Sequence, residues 1–403
     1  MLGRERAEGG TVDVADPMSS PQFRLLVACA GWPRGSDRDE AVRRAWEDAG
    51  PDWSAFLAMV RRHRMASLAL DGLTCAGIEP PPELRASVRQ DVFRAMALSA
   101  EAARLQARFA SEGIGMAVVK GPVLSQLLYG SPGLRHAKDL DIWVSSADLA
   151  RAAHVLMGCG YEMFQGPPSF AEPWLGLWLE TQKDCEFSHP QTRLVVELHY
   201  RLNQNPHVMA GLEVADASRR VKLGGTVLTT LEDGDLFAYL CTHGAVSRWF
   251  RLKWLADIQA MLAVRTPVGI GQLFDEACTR DAERAAGLAI QLCRRLWNLE
   301  VPADLARRLD ADRRLAWLER QCLGTLSGPE VAEGRFSAVP PHVFLWRLKD
   351  SWTYRARLLR HGMVDWKLMR RLPLPVPLHF LYPLLRPVSW LLRRLLYAAP
   401  QRS

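Results

Sequence analysis

None of the eight cysteines forms a CxxC pair, and none sits in a Cys/His cluster of zinc-ligand spacing. A zinc ribbon and a dithiol redox centre are thereby excluded, and ordinary buried thiols in a reducing compartment are expected. Also missing is an uninterrupted apolar run of about 18 residues, so no transmembrane helix is predicted. Met1 to Pro21 is polar, mildly acidic and glycine-containing rather than apolar, and no secretory leader is expected from it. No internal repeat is visible. Basic charge is scarce too, once it is located. The net +7 arises because residues 341–403 hold twelve Lys/Arg against two Asp/Glu, which leaves 39 basic and 42 acidic residues, a net of −3, for residues 1–340. That distribution gives no strong nucleic-acid signal.

What remains is a chain of 403 residues, 48% hydrophobic and 24% charged, enough to bury a real core in two or three subdomains. From Phe23 to Ala110 apolar residues recur at helical spacing between breaks at Gly31-Trp32-Pro33, Gly50-Pro51-Asp52 and Pro80-Pro81-Pro82. Three or four helices are predicted, one capped by Asp52 and running from Trp53 to about Leu73, another entering at Pro82 and ending near Ser111. Arg61, Arg62, His63 and Arg64 cluster within the first of these, as a solvated face or a phosphate contact.

The chemistry concentrates between Met116 and Tyr200. Met116 to Val119 reads as an apolar strand, Gly121 as a tight turn, and Pro122 as the first position of a short helix, where a missing N–H costs nothing. The amides of Gly121, Val123 and Leu124 then face an anion at the helix start, with the Lys120 charge one residue upstream. The turn-rich loop 130–138 brings Arg135 and Lys138 to the strand Asp139-Leu140-Asp141-Ile142-Trp143-Val144. Strand alternation aims Asp139 and Asp141 one way and Leu140, Ile142 and Val144 the other. Two acids side by side call for a cation between them, a divalent metal or a basic partner. Leu194 to Tyr200, paired with Asp184 to Ser188, sets Val195, Glu197 and His199 on one face. Glu197 is an acid in an apolar strand and needs a partner, either the Asp139/Asp141 site or a basic residue on the sheet. Three such carboxylates can hold two divalent cations roughly 3.5–4 Å apart.

Four elements in order, Lys120-Gly121-Pro122, Tyr129-Gly130-Ser131-Pro132-Gly133-Leu134-Arg135, Asp139-Leu140-Asp141 and Val196-Glu197-Leu198-His199, resemble the polymerase-beta-like nucleotidyltransferase superfamily, specifically its bacterial nucleotidyltransferase-like group. The likeness continues through Leu240 to Leu262, with His243 ahead of Arg251 to Asp257. His243 and Asp257 are a candidate pair near the site, with a core histidine as the alternative. The resemblance implies an α+β fold, a small mixed sheet flanked by helices. It also implies Mg²⁺-dependent (or Mn²⁺-dependent) attack on the α-phosphate of an NTP, ATP among them, with pyrophosphate released. Asp139, Asp141 and Glu197 would be catalytic and metal-binding, and Lys120, Gly121, Arg135 and Lys138 would hold the nucleotide. One departure is Gly121-Pro122 where the superfamily commonly has Gly-Ser. A catalytically degenerate nucleotide-binding or scaffold protein, in a membrane-linked polysaccharide or peptide-modification system, is the alternative reading. The expected organisation is a flexible 1–21, helical 22–111, a catalytic core at 112–230, helical 231–340 and a basic tail 341–403. The expected location is cytoplasmic. The tail, with Val388 to Tyr397 apolar and arginine-flanked, either contacts an anionic membrane peripherally or packs on the helical body.

Overall fold

A computed structural model describes residues 16–50, 52–327, 340–363 and 366–372, with Leu374, Leu378, Leu381, Tyr382, Leu384 and Leu385 beyond them. Val388 to Tyr397 lie outside the described residues. Five helices precede the first strand: α1 (Pro21–Ala30), α2 (Ser36–Ala49), α3 (Trp53–His63), α4 (Ala66–Cys75) and α5 (Pro82–Ser111). Asp52 caps α3, its Oδ1 accepting the Ala55 amide at 3.0 Å, and Pro82 opens α5. The single helix predicted from Trp53 to Leu73 is two. Arg64 adopts the left-handed conformation at φ 56°, so the Met65 amide can reach Val60 O and the chain reverses to bury Met65. Only part of the basic cluster there is solvated, Arg61 being exposed. Arg62 and His63 are buried, and Arg62 donates to Thr325 O and Leu326 O.

The central segment comprises β1 (Ala117–Val118), α6 (Gly121–Tyr129), β2 (Leu140–Trp143), α7 (Leu149–Gly158), β3 (Glu162–Gln165), α8 (Trp174–Thr181), β4 (Asp184–Ser188) and β5 (Val195–His199). The five strands form one mixed sheet in the order β1-β2-β5-β4-β3, with β2 and β5 parallel and the other pairs antiparallel. A separate hairpin, β6 (Arg219–Leu223) and β7 (Thr226–Thr230), was not anticipated. The fold is α+β, as expected.

One face of the sheet carries Leu140, Ile142, Cys185, Phe187, Val196 and Leu198, all buried in a core shared with Leu98, Leu105 and Phe109 of α5 and Leu156 of α7. Each such aliphatic side chain contributes about 1.5–3 kcal/mol when removed from water. That burial fixes the register, because a slip of one residue would turn the acids inward.

Helices complete the chain: α9 (Asp233–Val246), α10 (Leu252–Leu262), α11 (Pro267–Thr279), α12 (Glu283–Trp297), α13 (Ala303–Ala311), α14 (Arg313–Ser327), α15 (Pro341–Leu348), α16 (Trp352–Met363) and α17 (Trp366–Arg371). Between α9 and α10, Arg248 and Trp249 take positive φ and fold the Trp249 ring against Gly244. A Cβ at Gly244 would lie 2.3 Å from that ring. The described part of the tail packs on the body. Phe344 and Tyr354 are buried, Asn205 Nδ2 donates to Tyr354 O at 3.0 Å, and Trp366 Nε1 donates to Thr181 Oγ1 at 3.2 Å. Among the described residues no helix is long and apolar enough to cross a membrane.

Candidate functional site

The polar face of the sheet is a grid of acids. Asp141 on β2 stands in register with Glu197 on β5, and Glu197 with Glu186 on β4. One step along, His199 pairs with Asp184. Like charges directly opposite one another destabilise a sheet, so cations must be near. They arrive from two directions. Val119 N–H bonds to Asp141 O at 3.1 Å, and this carries Lys120 over β2, where its Nζ lies 2.8 Å from Asp141 Oδ1. Lys183 pairs with Asp184. A further lysine, Lys253 of α10, approaches His136 O at 3.5 Å, but burial, then Arg135 and Arg64, hold its pKa well below the usual lysine range and disfavour its charge.

His199 ties the centre together. Its Nε2 lies 3.2 Å from Asp141 Oδ1 and 3.3 Å from Glu197 Oε2, while Nδ1 stands 3.6 Å from Asp184 Oδ2, too long for a hydrogen bond. Burial and Lys183 disfavour its charged form, yet the bonds to Asp141 and Glu197 outweigh them and raise its pKa. Burial would likewise raise Asp141, but Lys120 and His199 hold it well below the usual carboxylate range. Lys120 remains charged because Asp141, Tyr239 and Glu197 overcome its burial. The Tyr239 ring centroid lies 5.5 Å from its ammonium.

Asp139 precedes β2 and is half-buried. Burial first, then repulsion from Asp141 and Glu197, pushes its pKa up to about 6. It stands outside the tightest trio, Asp141, Glu197 and His199, whose ligand-capable atoms all lie within 4.8 Å of one another. Two carboxylates with one imidazole suit a divalent cation such as Mg²⁺ or Mn²⁺, the nitrogen favouring Mn²⁺. The donor set therefore fits a divalent metal of the kind that the resemblance implied.

Gly121 adopts φ +68° and starts α6 directly after Lys120. Lys138 is exposed at the rim, where its charge acts on Glu186. Arg135 is buried and engaged elsewhere. Its Nε donates to both Asp257 oxygens, at 3.0 and 2.8 Å, and Tyr129 OH donates to Asp257 Oδ1 at 3.2 Å. Asp257 is thus occupied by Arg135 rather than His243, whose ring meets Trp254 edge-on at 5.4 Å. Burial, then Lys120, keeps His243 neutral. Sequence reasoning had not nominated His199, Lys183, Tyr239 or Lys253. Only His199 carried a usable signal, since alternation along β5 put it on the face of Glu197.

The chain belongs to the uncharacterised nucleotidyltransferase family, whose sequence profile matches residues 49–298. No curated protein matches the sequence.

Proposed function

We propose that this chain is a divalent-metal-dependent nucleotidyltransferase that moves an NMP from an NTP to a hydroxyl or similar acceptor and releases pyrophosphate, with its catalytic core at about residues 112–230. The observation that carries the reading is the in-register pair Asp141 and Glu197 on adjacent parallel strands, bridged by His199 Nε2 at 3.2 and 3.3 Å. Asp141 and Glu197, with Asp139 or His199 as third donor, would hold the metal. When bound, it neutralises charge on the phosphates and lowers the pKa of the attacking hydroxyl.

The residues do the rest. The amides of Gly121, Val123 and Leu124 receive phosphate oxygens at the start of α6, and Lys120 and Lys138 add point charges. Asp139, with its pKa near 6, takes the proton as the acceptor oxygen bonds to the α-phosphorus and the bond to the β-phosphate breaks. Arg135, held by Asp257, positions the loop that delivers Asp139.

A second reading has its own observation. An ammonium already sits 2.8 Å from Asp141, and Pro122 stands where a serine hydroxyl is common in the superfamily. A site that binds nucleotide without transferring it would look the same. Labelled NTPs incubated with Mg²⁺ and purified protein separate the two. Pyrophosphate release or label transfer by the wild type, absent from Asp139→Ala/Asp141→Ala, supports catalysis, and identical signals from both remove it.

A further inference from the structure

Outside the family-matched residues, α14, α15 and the start of α16 line an open, solvent-facing cavity of about 580 Å³ walled by arginine and tryptophan. Among the described residues five arginines line it and no carboxylate does. Arg314 and Arg355 share the single carboxylate of Asp350, which also takes Arg284 at 2.9 Å and so anchors the turn between α15 and α16. Arg313, Arg320 and Arg347 have no ion-pair partner among the described residues. Arg313 and Arg320 are exposed and Arg347 is half-buried, so what gathers here is like charge rather than buried charge, and an anion seated among the three relieves their mutual repulsion.

The tryptophans explain how the arginines are held. The Arg347 guanidinium lies 4.1 Å from the Trp317 ring centroid, and that of Arg355 lies 5.1 Å from the Trp346 centroid. Stacking fixes a guanidinium plane while leaving its in-plane N–H edges free for oxygen ligands. Arg355 Nε is buried without a hydrogen-bond partner among the described residues. Because arginines already cover these rings, the cavity offers donors for phosphate rather than a platform for a base. Its volume falls in the range of small-molecule sites.

We propose that this cavity binds a small ligand bearing two or more linked phosphates, through Arg313, Arg320 and the stacked Arg347. The shared chemistry is the phosphate chain, whether free polyphosphate or the tail of a nucleotide. The site is independent of the acidic cluster and stands whether or not that cluster transfers a nucleotide.

The test is calorimetric titration of the full chain with inorganic tripolyphosphate in EDTA, which silences metal-dependent binding at the acids. One-to-one saturable binding is expected, weakened at least tenfold in Arg313→Gln/Arg320→Gln and unchanged in Glu197→Gln. Both arginines are exposed, so the fold should survive, as far-UV circular dichroism will check. If the double variant misfolds, Arg313→Lys/Arg320→Lys retains charge but loses the two-pronged contact, and weaker binding is still expected. Displacement by ATP identifies a nucleotide as a source, and displacement by free polyphosphate alone identifies the other. No binding to tripolyphosphate, equal binding by the variants, or binding confined to anionic vesicles or single-stranded RNA overturns the proposal.

Discussion

Lys120 Nζ lies 2.8 Å from Asp141 Oδ1, and both side chains are buried. The ammonium supplies positive charge to the acids in the metal-free chain. Removing one partner of a buried pair costs about 3–5 kcal/mol, toward the lower end here because His199 remains. Lys120→Met should therefore melt well below the wild type in EDTA. Mg²⁺ should recover part of that loss, because a ligand of the native state stabilises it. Equal melting temperatures for the two proteins in EDTA would show that the pair contributes nothing.

Arg135 and Asp257 lie 122 residues apart and meet in a buried two-oxygen contact. Asp257→Ala leaves a buried guanidinium and should cost about 3–5 kcal/mol. Arg135→Leu/Asp257→Leu should be less destabilising than either single change, since no unpaired charge is left. If Arg135 only positions the loop, this double variant keeps most of its NTP affinity. Loss of NTP binding in a stably folded double variant would instead make Arg135 a phosphate ligand.

His63 is buried, and its Nδ1 accepts the Leu252 amide at 3.1 Å. Burial first, then Arg62 and Arg251, drives its pKa from 6.5 to about 3. The native state thus stays neutral while the unfolded chain takes a proton below its ordinary pKa. The stabilisation is complete above pH 6.5 and is lost progressively as pH falls toward 3, by about 2 kcal/mol at pH 5. Urea unfolding at pH 7 and pH 5 should show that much less pH dependence in His63→Gln. Parallel slopes for the two proteins would refute the assignment.

Which residues share the polar face was legible, because alternation along β2 and β5 requires only a period of two. That Asp141 meets Glu197 depended on pairing two strands separated by more than fifty residues. A parallel connection has no tight turn to set its register, so the convergence on His199 Nε2 could not be read off. Arg135 was expected at phosphate because its loop is basic, but its partner lies on α10, and a pair that distant leaves no local pattern. The β6–β7 hairpin did have a local signal, Gly224-Gly225 between the alternating Val221 and Leu223 and the β-branched run from Thr226 to Thr230. At Arg64 the periodicity of α3 ran on into α4. Periodicity reports which residues are buried and misses a reversal that keeps them so.

Gly121 and Gly130 bracket α6 at φ +68° and +72° and separate backbone strain from site geometry. An alanine in the left-handed region costs about 1–2 kcal/mol at either position. At Gly130 a Cβ meets nothing within 4 Å, and the loop beyond is pinned independently, with Ser125 Oγ donating to Ser131 O at 2.6 Å and accepting the Arg135 amide at 3.0 Å. At Gly121 a Cβ would sit 3.5 Å from Asp139 O, between Lys120 and the amides at the start of α6. That distance is an ordinary contact, so the strain of an alanine there lies in its positive φ, and relieving it shifts the backbone that carries Lys120 and the first amides of α6. Gly121→Ala and Gly130→Ala should therefore lose similar stability in urea. Metal-dependent NTP binding should fall at least tenfold in the first and stay within about twofold in the second, since tenfold corresponds to only about 1.4 kcal/mol. If both variants lose nucleotide binding equally, or neither does, the start of α6 is not where the phosphates lie.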